Sequence, residues 1–462
     1  MDTLYTVSEF ADLIHVGVKT LQKWDREGIL TSQRTPTNRR YYTDAQYQEY
    51  MLKGAKKPMS LWAELEANDK SGLFTSDDNT VYYPTGITVL DYANGYWSET
   101  IDQDGNSSYY ANIGIPGGSM VSIISETGGG KTTLADQIAW NIIKPFEDGM
   151  VFHIDCEKTT IRQRVVNLMG CDYDEPRVKL NKSHTSIEEV LAMFNKVCDL
   201  KEAGKKQFMY EVKSKSYNGK PFMYYVPTVF IIDSLPAFNS QNYNTEDLGN
   251  NIDQMKASKD ITRFYTNVLD RAWKYNVIFL VINHIRPNAQ MNPYAAPPRG
   301  LMMINPQTET LPRGSVAQYF SSTYFRIRTK KSNAYTEKDD GFVGYRCEIQ
   351  LAKTKSNVVG TSFPVTFNSA RGFDPVYSIY EFADSLGLIQ GRNPYLYLQG
   401  FEERKFNRKE WNTLMSVDES FRAGMLNVLR PYYEGLLGSK QIKPDEDIQL
   451  DSVNLWDLAE AA

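Results

Sequence analysis

The sequence predicts an α/β fold. A mostly parallel sheet with helices on both faces carries a small winged helix-turn-helix before it and a small α+β domain after it. Three observations predict this. Four apolar runs, 120–124, 150–154, 228–232 and 277–282, are continuous rather than alternating, as strands buried on both faces of a parallel sheet must be. Segments with helical apolar spacing separate them. Two short helical patterns and a basic, turn-rich stretch fill residues 1–57. The expected order is the winged module at 1–57, a linker or subunit-docking segment at 58–80, and an α/β core at 81–375. A C-terminal domain at 376–443 and an acidic tail at 444–462 follow.

Composition narrows the function classes. A net charge of −5 over 462 residues argues against wholesale attraction to nucleic acid, so DNA contact has to come from local basic patches. No apolar run approaches the length of a membrane span. Cys156, Cys171, Cys198 and Cys347 lie far apart without metal-ligand spacing. They read as buried thiols of a reducing, cytoplasmic environment.

In the first module, Ser8 is placed to cap a helix whose apolar side is Phe10, Leu13 and Ile14. A turn at His15–Gly17 leads to a second helix from Val18 to Glu27, ended by Gly28. Two short helices on a tight turn form a helix-turn-helix, whose second helix offers Lys19 and Lys23 to a DNA major groove. Arg39 and Arg40, in a turn-rich hairpin, read as wing residues that grip phosphates. Thr43 and Gln46 form a capping box for a third helix.

In the core, Ser125-Glu126-Thr127-Gly128-Gly129-Gly130-Lys131-Thr132 joins the 120–124 run to a helix over 134–143. A strand, a Gly-rich turn ending in Gly-Lys-Thr, and a helix make a phosphate-binding loop. Backbone N–H groups from Ser125 to Thr133 and the helix N-terminus meet phosphate oxygens. Lys131 reaches the β- and γ-phosphates of a nucleoside triphosphate, and Thr132 ligates Mg²⁺. Ser125 replaces the usual first glycine. Ligands of parallel sheets bind beyond the carboxyl ends of the strands, which gathers Lys131, Glu157, Asp233 and His284 around one crevice. Asp233 is expected to orient Mg²⁺, Glu157 to activate water, and His284 to sense the γ-phosphate. Residues 206–226, with Asn218-Gly219 between two β-prone runs, predict an inserted hairpin. Beyond the core, 379–388 reads as a helix, 395–398 as a strand and 417–437 as a long helix.

Residues 6–50 resemble the MerR-type winged helix-turn-helix, close to the N-terminal domains of certain transposon-borne serine recombinases. The segment Tyr83–Asp91, the Gly-rich loop, Ile154–Glu157, Ile231–Ser234 and Val281–Arg286 stand in the order and spacing of RecA and the UvsX-type recombinases of phages, over about 81–435. That resemblance implies a RecA-like P-loop NTPase core that hydrolyses ATP with Mg²⁺. It also implies a helical filament on single-stranded DNA that promotes homologous pairing and strand exchange. It makes Glu157 the water activator. Lys353 and Lys355 become a pair reaching the ATP of the adjacent subunit, and His284 stands where the family usually has glutamine. Arg162 or Arg164 takes the place of the aromatic that stacks on the base. The loops 239–259 and 286–314 become single-stranded-DNA segments, the second with Arg286, Arg299, Met302, Met303 and Arg313. A DnaB-like hexameric helicase and an ATP-regulated DNA-organising protein are the alternatives.

Overall fold

The computed structural model describes residues 4–54, 80–101, 107–183, 186–212, 221–241, 251–287, 309–312 and 314–438. The chain divides into two compact units, Met1–Asp78 and Asn79–Ala462. Each is taken by itself.

In the first unit, β1 (Leu4–Thr6) leads into α1 (Val7–Leu13). The helix is capped by Thr6 rather than Ser8. Thr6 Oγ1 accepts the Glu9 N–H at 3.4 Å, and the Glu9 carboxylate accepts the Thr6 N–H at 2.8 Å. This reciprocal pair satisfies two orphan donors, which Ser8, one residue inside the helix, cannot do. Then come α2 (Val18–Arg26), β2 (Gln33–Arg34), β3 (Arg40–Thr43) and α3 (Asp44–Gly54). The three strands form one sheet with β3 in the middle. Phe10, Ala11, Ile14, Leu21, Leu30 and Tyr42 make its core, with Phe10 stacked on Tyr42.

The second unit is built on a nine-stranded sheet. In chain order its strands and the elements around them are α4 (Thr88–Ala93), β4 (Met120–Ser125), α5 (Lys131–Ile143), β5 (Met150–Asp155), α6 (Arg162–Met169), β6 (Val178–Asn181) and α7 (Ile187–Ala203). The hairpin β7 (Met209–Val212) and β8 (Phe222–Tyr225) precedes β9 (Thr228–Asp233), α8 (Asn251–Lys274) and β10 (Val277–His284). The rest are α9 (Gly314–Phe320), β11 (Thr323–Tyr335), β12 (Gly344–Lys353), β13 (Ser362–Asn368), β14 (Gly372–Asp374), α10 (Pro375–Ser385) and α11 (Glu419–Glu434). The spatial order is β6-β5-β9-β10-β4-β11-β12-β13-β14. From β6 to β11 the strands run parallel, and from β11 onward antiparallel. The sheet is therefore mixed, with its parallel part where the continuous apolar runs lie.

The two faces carry separate apolar layers. One packs α5 and α6 on Val121, Val151, Val229 and Leu280; the other packs α7 and α8 on Phe230 and Phe279. Asp374 caps α10 and Pro375 begins it, so the helix starts four residues earlier than its apolar spacing suggested. The long C-terminal helix, α11, is three residues shorter at its far end than that spacing suggested. Residues of α10 and α11 share the α5-side layer, and Tyr433 packs on Tyr92 of α4. The C-terminal segment is thus continuous with the core rather than set off by a linker. Among the described residues, no helix is long and apolar enough to cross a membrane.

Candidate functional site

Strand register brings the chemistry together. His284 pairs with Ser125 at the ends of β10 and β4, and Asp233 pairs with Asp155 at the ends of β9 and β5. Four carboxyl ends therefore open on one side of the sheet. The turn 126–130 follows β4 there, and Gly130 caps α5. Gly128 and Gly130 have φ of 78° and 84°, a backbone region that side chains disfavour. Ser125 is accommodated because Gly129 has no side chain: a Cβ on Gly129 would lie 2.3 Å from Ser125 Oγ.

A crevice of about 430 Å³ lies over this turn. Thr127 to Thr133 form its floor, and Glu157, Asp233, His284 and Arg164 its rim. Lys131 Nζ donates to Ser125 Oγ at 3.1 Å and to the Glu126 carbonyl at 2.9 Å. Burial lowers its pKa to about 8, against the pull of Asp233 and Glu157. Thr132 Oγ1 donates to Asp233 Oδ2 at 2.6 Å. Burial pushes the Asp233 carboxyl up, but His153, Thr132 and His284 outweigh it and hold it below the usual carboxylate range. Glu157 accepts from Ser234 Oγ and meets His284 Nε2 at 2.9 Å. Glu157 is thus held at two points within reach of the turn.

Other sequence-derived candidates lie elsewhere. Arg162 is committed to the backbone, donating to the Val178 carbonyl at 2.7 Å and the Tyr173 carbonyl at 2.9 Å. Of the two arginines only Arg164 lines the crevice. Lys353 pairs in register with Tyr324, which pairs with Ser122 near the start of β4. It thus lies toward the end of the sheet opposite the turn. There its Nζ donates to the Gln318 and Tyr319 carbonyls, which close the end of α9. Burial and the neighbouring Lys355 charge lower its pKa to about 8. Neither lysine lines the crevice of its own chain.

Sequence reasoning missed Tyr345 and Phe367, whose stacked rings 4.8 Å apart line the crevice. They sit on antiparallel strands, for which no motif gave a signal. It also missed Asp136 and His153, both fully buried. Their signal was present, since each is a polar residue on the inward face of an apolar helix or strand, where burial demands a partner.

In the first unit, Lys19, Lys23 and Arg39 are exposed, and Lys23 meets Glu27, the residue that ends α2, at 3.7 Å. Arg40 is not a free phosphate grip. Its Nε donates to Asp25 Oδ2 at 2.8 Å, while Asp25 Oδ1 accepts the Ser32 N–H at 2.6 Å. Asp25 thereby ties α2 to the wing strand. Arg286 is exposed beside a short pairing with Thr310. Arg299, Met302, Met303 and Arg313, and most of the second expected DNA loop, lie outside the described residues. Of the first, 239–241 and 251–259 are described, and 251–259 open α8 rather than continuing a loop.

Residues 5–51 match the family model described as MerR HTH family regulatory protein. The N-terminal unit carries a MerR-family helix-turn-helix. That match supports DNA binding. No curated protein matches the chain.

Proposed function

We propose that the chain is an ATP-hydrolysing, DNA-binding recombinase. In this reading it assembles as a filament on single-stranded DNA and promotes pairing and strand exchange, with the MerR-type unit engaging duplex. The observation that carries ATP hydrolysis is the convergence of the 125–132 turn, Asp233, Glu157 and His284 at adjacent strand ends. The turn offers backbone N–H groups and Lys131 to phosphates, and no covalent work is asked of the protein. Glu157, fixed by Ser234 and His284, takes a proton from the attacking water. Arg164, Tyr345 and Phe367 offer planar surfaces suited to a base.

Mg²⁺ fits this donor set. Among the described residues no cluster of three His, Cys, Asp or Glu side chains forms a metal site. A hydroxyl and a carboxylate 2.6 Å apart beside a phosphate-binding turn suit an ion that keeps its waters and takes phosphate oxygens. Thr132 and Asp233 would hold it, and it would neutralise phosphate charge.

Assembly is supported by the lysine pair. Lys353 lies at the far end of the sheet from its own crevice, and neither it nor Lys355 lines that crevice, so in this reading the pair serves ATP in another copy. The strand-exchange part rests on the resemblance of motif order. The test is hydrolysis of ATP with and without single-stranded DNA, followed by exchange between a single strand and a homologous duplex. Stimulated hydrolysis, exchange, and loss of both in Lys131→Ala are expected. Hydrolysis that ignores single strands, with tight binding to one duplex sequence and no exchange, would instead establish the second reading. That reading is an ATP-regulated DNA-binding protein, and the regulatory family matched at residues 5–51 favours it.

A further inference from the structure

Beneath the crevice, Asp136 and His153 form a buried polar ladder behind Asp233. His153 points from the middle of β5 toward α5 and is fully buried. Its Nδ1 lies 2.9 Å from Asp136 Oδ1, on α5, and its Nε2 lies 3.8 Å from Asp233 Oδ2. Asp136 and Asp233 are 1% and 5% exposed. The same Asp233 oxygen accepts the Thr132 hydroxyl. Three elements thus hand one carboxylate to the mouth of the Gly-rich turn.

Stability gives no reason for this arrangement. The flanking positions Leu134, Ala135, Ile138 and Val151 are apolar and fully buried. A buried ion pair there contributes little over an apolar pair of similar volume, and often less. The ring stands between two carboxylates, Asp136 at Nδ1 and Asp233 at Nε2. Geometry supplies a purpose: the Thr132 hydroxyl holds Asp233 Oδ2 from one side, and the His153 ring stands behind the same oxygen at ion-pair distance, 3.8 Å, from another.

We propose that His153, braced by Asp136, is a positioning residue for Asp233, holding its carboxylate in the orientation that receives Mg²⁺ together with a nucleotide. The inference rests on the nucleotide reading above. Partners of this kind, one step behind a metal ligand, change metal affinity by about 10–100-fold.

The test is binding of a fluorescent ATP analogue to the full chain, titrated with MgCl₂ and, separately, measured in EDTA. Three variants are compared, each checked for thermal unfolding without nucleotide. His153→Phe with Asp136→Leu fills the space with apolar atoms. His153→Asn keeps a donor near the Nδ1 position only, and His153→Gln keeps one near Nε2. The double variant and His153→Asn are expected to need ~10-fold more MgCl₂ for half-maximal binding, with EDTA affinity unchanged, while His153→Gln stays close to wild type. The same MgCl₂ midpoint in His153→Asn as in wild type would overturn the inference, whether or not the double variant folds. So would an equal loss in EDTA, which marks general damage. Failure of the wild type to bind the analogue at all would remove the nucleotide reading itself, and this inference with it.

Discussion

Asp91 allows a stability prediction worked from one buried group. It lies on α4, fully buried, and its Oδ1 accepts the Thr85 N–H at 2.6 Å. The Thr85 carbonyl in turn accepts from Asn141 of α5 at 3.0 Å, so Asp91 helps fasten the 83–91 segment to the helix that follows the Gly-rich turn. Burial raises its pKa from 3.8 to about 7, against the hydrogen bonds from Thr85 and Gly86. The folded state therefore binds a proton that the unfolded chain releases between these two values. The associated stability is fully present below the unfolded pKa and is lost as pH rises through the folded one. Between about pH 4.5 and 8 the loss is roughly 3 kcal/mol. Asp91→Asn keeps the acceptor for Thr85 and removes the titration. Its amide carries a fixed cost of about 1–3 kcal/mol where Asp91 Oδ2 has no hydrogen-bond partner. Scanning calorimetry of both proteins across this range should show the Asn variant gaining about 3 kcal/mol relative to wild type. In a unit of this size that is on the order of 4 °C in Tm. A difference that stays flat with pH would refute a neutral, buried Asp91.

Four further outcomes are expected. Arg39→Ala should leave the N-terminal unit folded, weaken duplex binding at all sequences and reduce its salt dependence by about one phosphate contact. Asp25→Ala, by contrast, should destabilise that unit by roughly 2 kcal/mol, because it releases a charged hydrogen bond and the Ser32 N–H together; denaturant unfolding of the unit separates the two variants. Lys353→Ala with Lys355→Ala should lower ATP turnover only at concentrations where copies assemble, as followed by light scattering, and unchanged turnover in assemblies would remove the role in a neighbouring crevice. Removal of residues 1–57 should reduce binding to duplex while single-strand-stimulated hydrolysis persists; loss of both would make the module structural.

Much of the site was legible because its residues sit where backbone rules are strict. Gly128 and Gly130 occupy left-handed positions that few other residues accept. Asp233 and His284 end strands whose continuous apolar runs announce a parallel sheet. Such signals are local, and they fix a strand-turn-helix unit and the Thr43–Gln46 capping box, whose two reciprocal hydrogen bonds form as expected, without reference to distant chain. Which of two nearby arginines lines the crevice was not legible. Arg162 and Arg164 are two residues apart on one helix, and only packing of the 173–178 turn claims the first. Likewise Arg40 reads as a wing cation until Asp25, 15 residues away, is found beside it.

By itself the sequence determined the α/β class, the order of its elements, the winged module and the loop built on Lys131, because periodicity and turn chemistry act over a few residues. Only the tertiary structure decided that the C-terminal helices share the core and that Tyr345 and Phe367 reach the crevice. It also decided that Asp136 and His153 stand behind Asp233. Those contacts depend on strand register and helix placement across long stretches of chain, where one residue of slip turns every side chain to the other face.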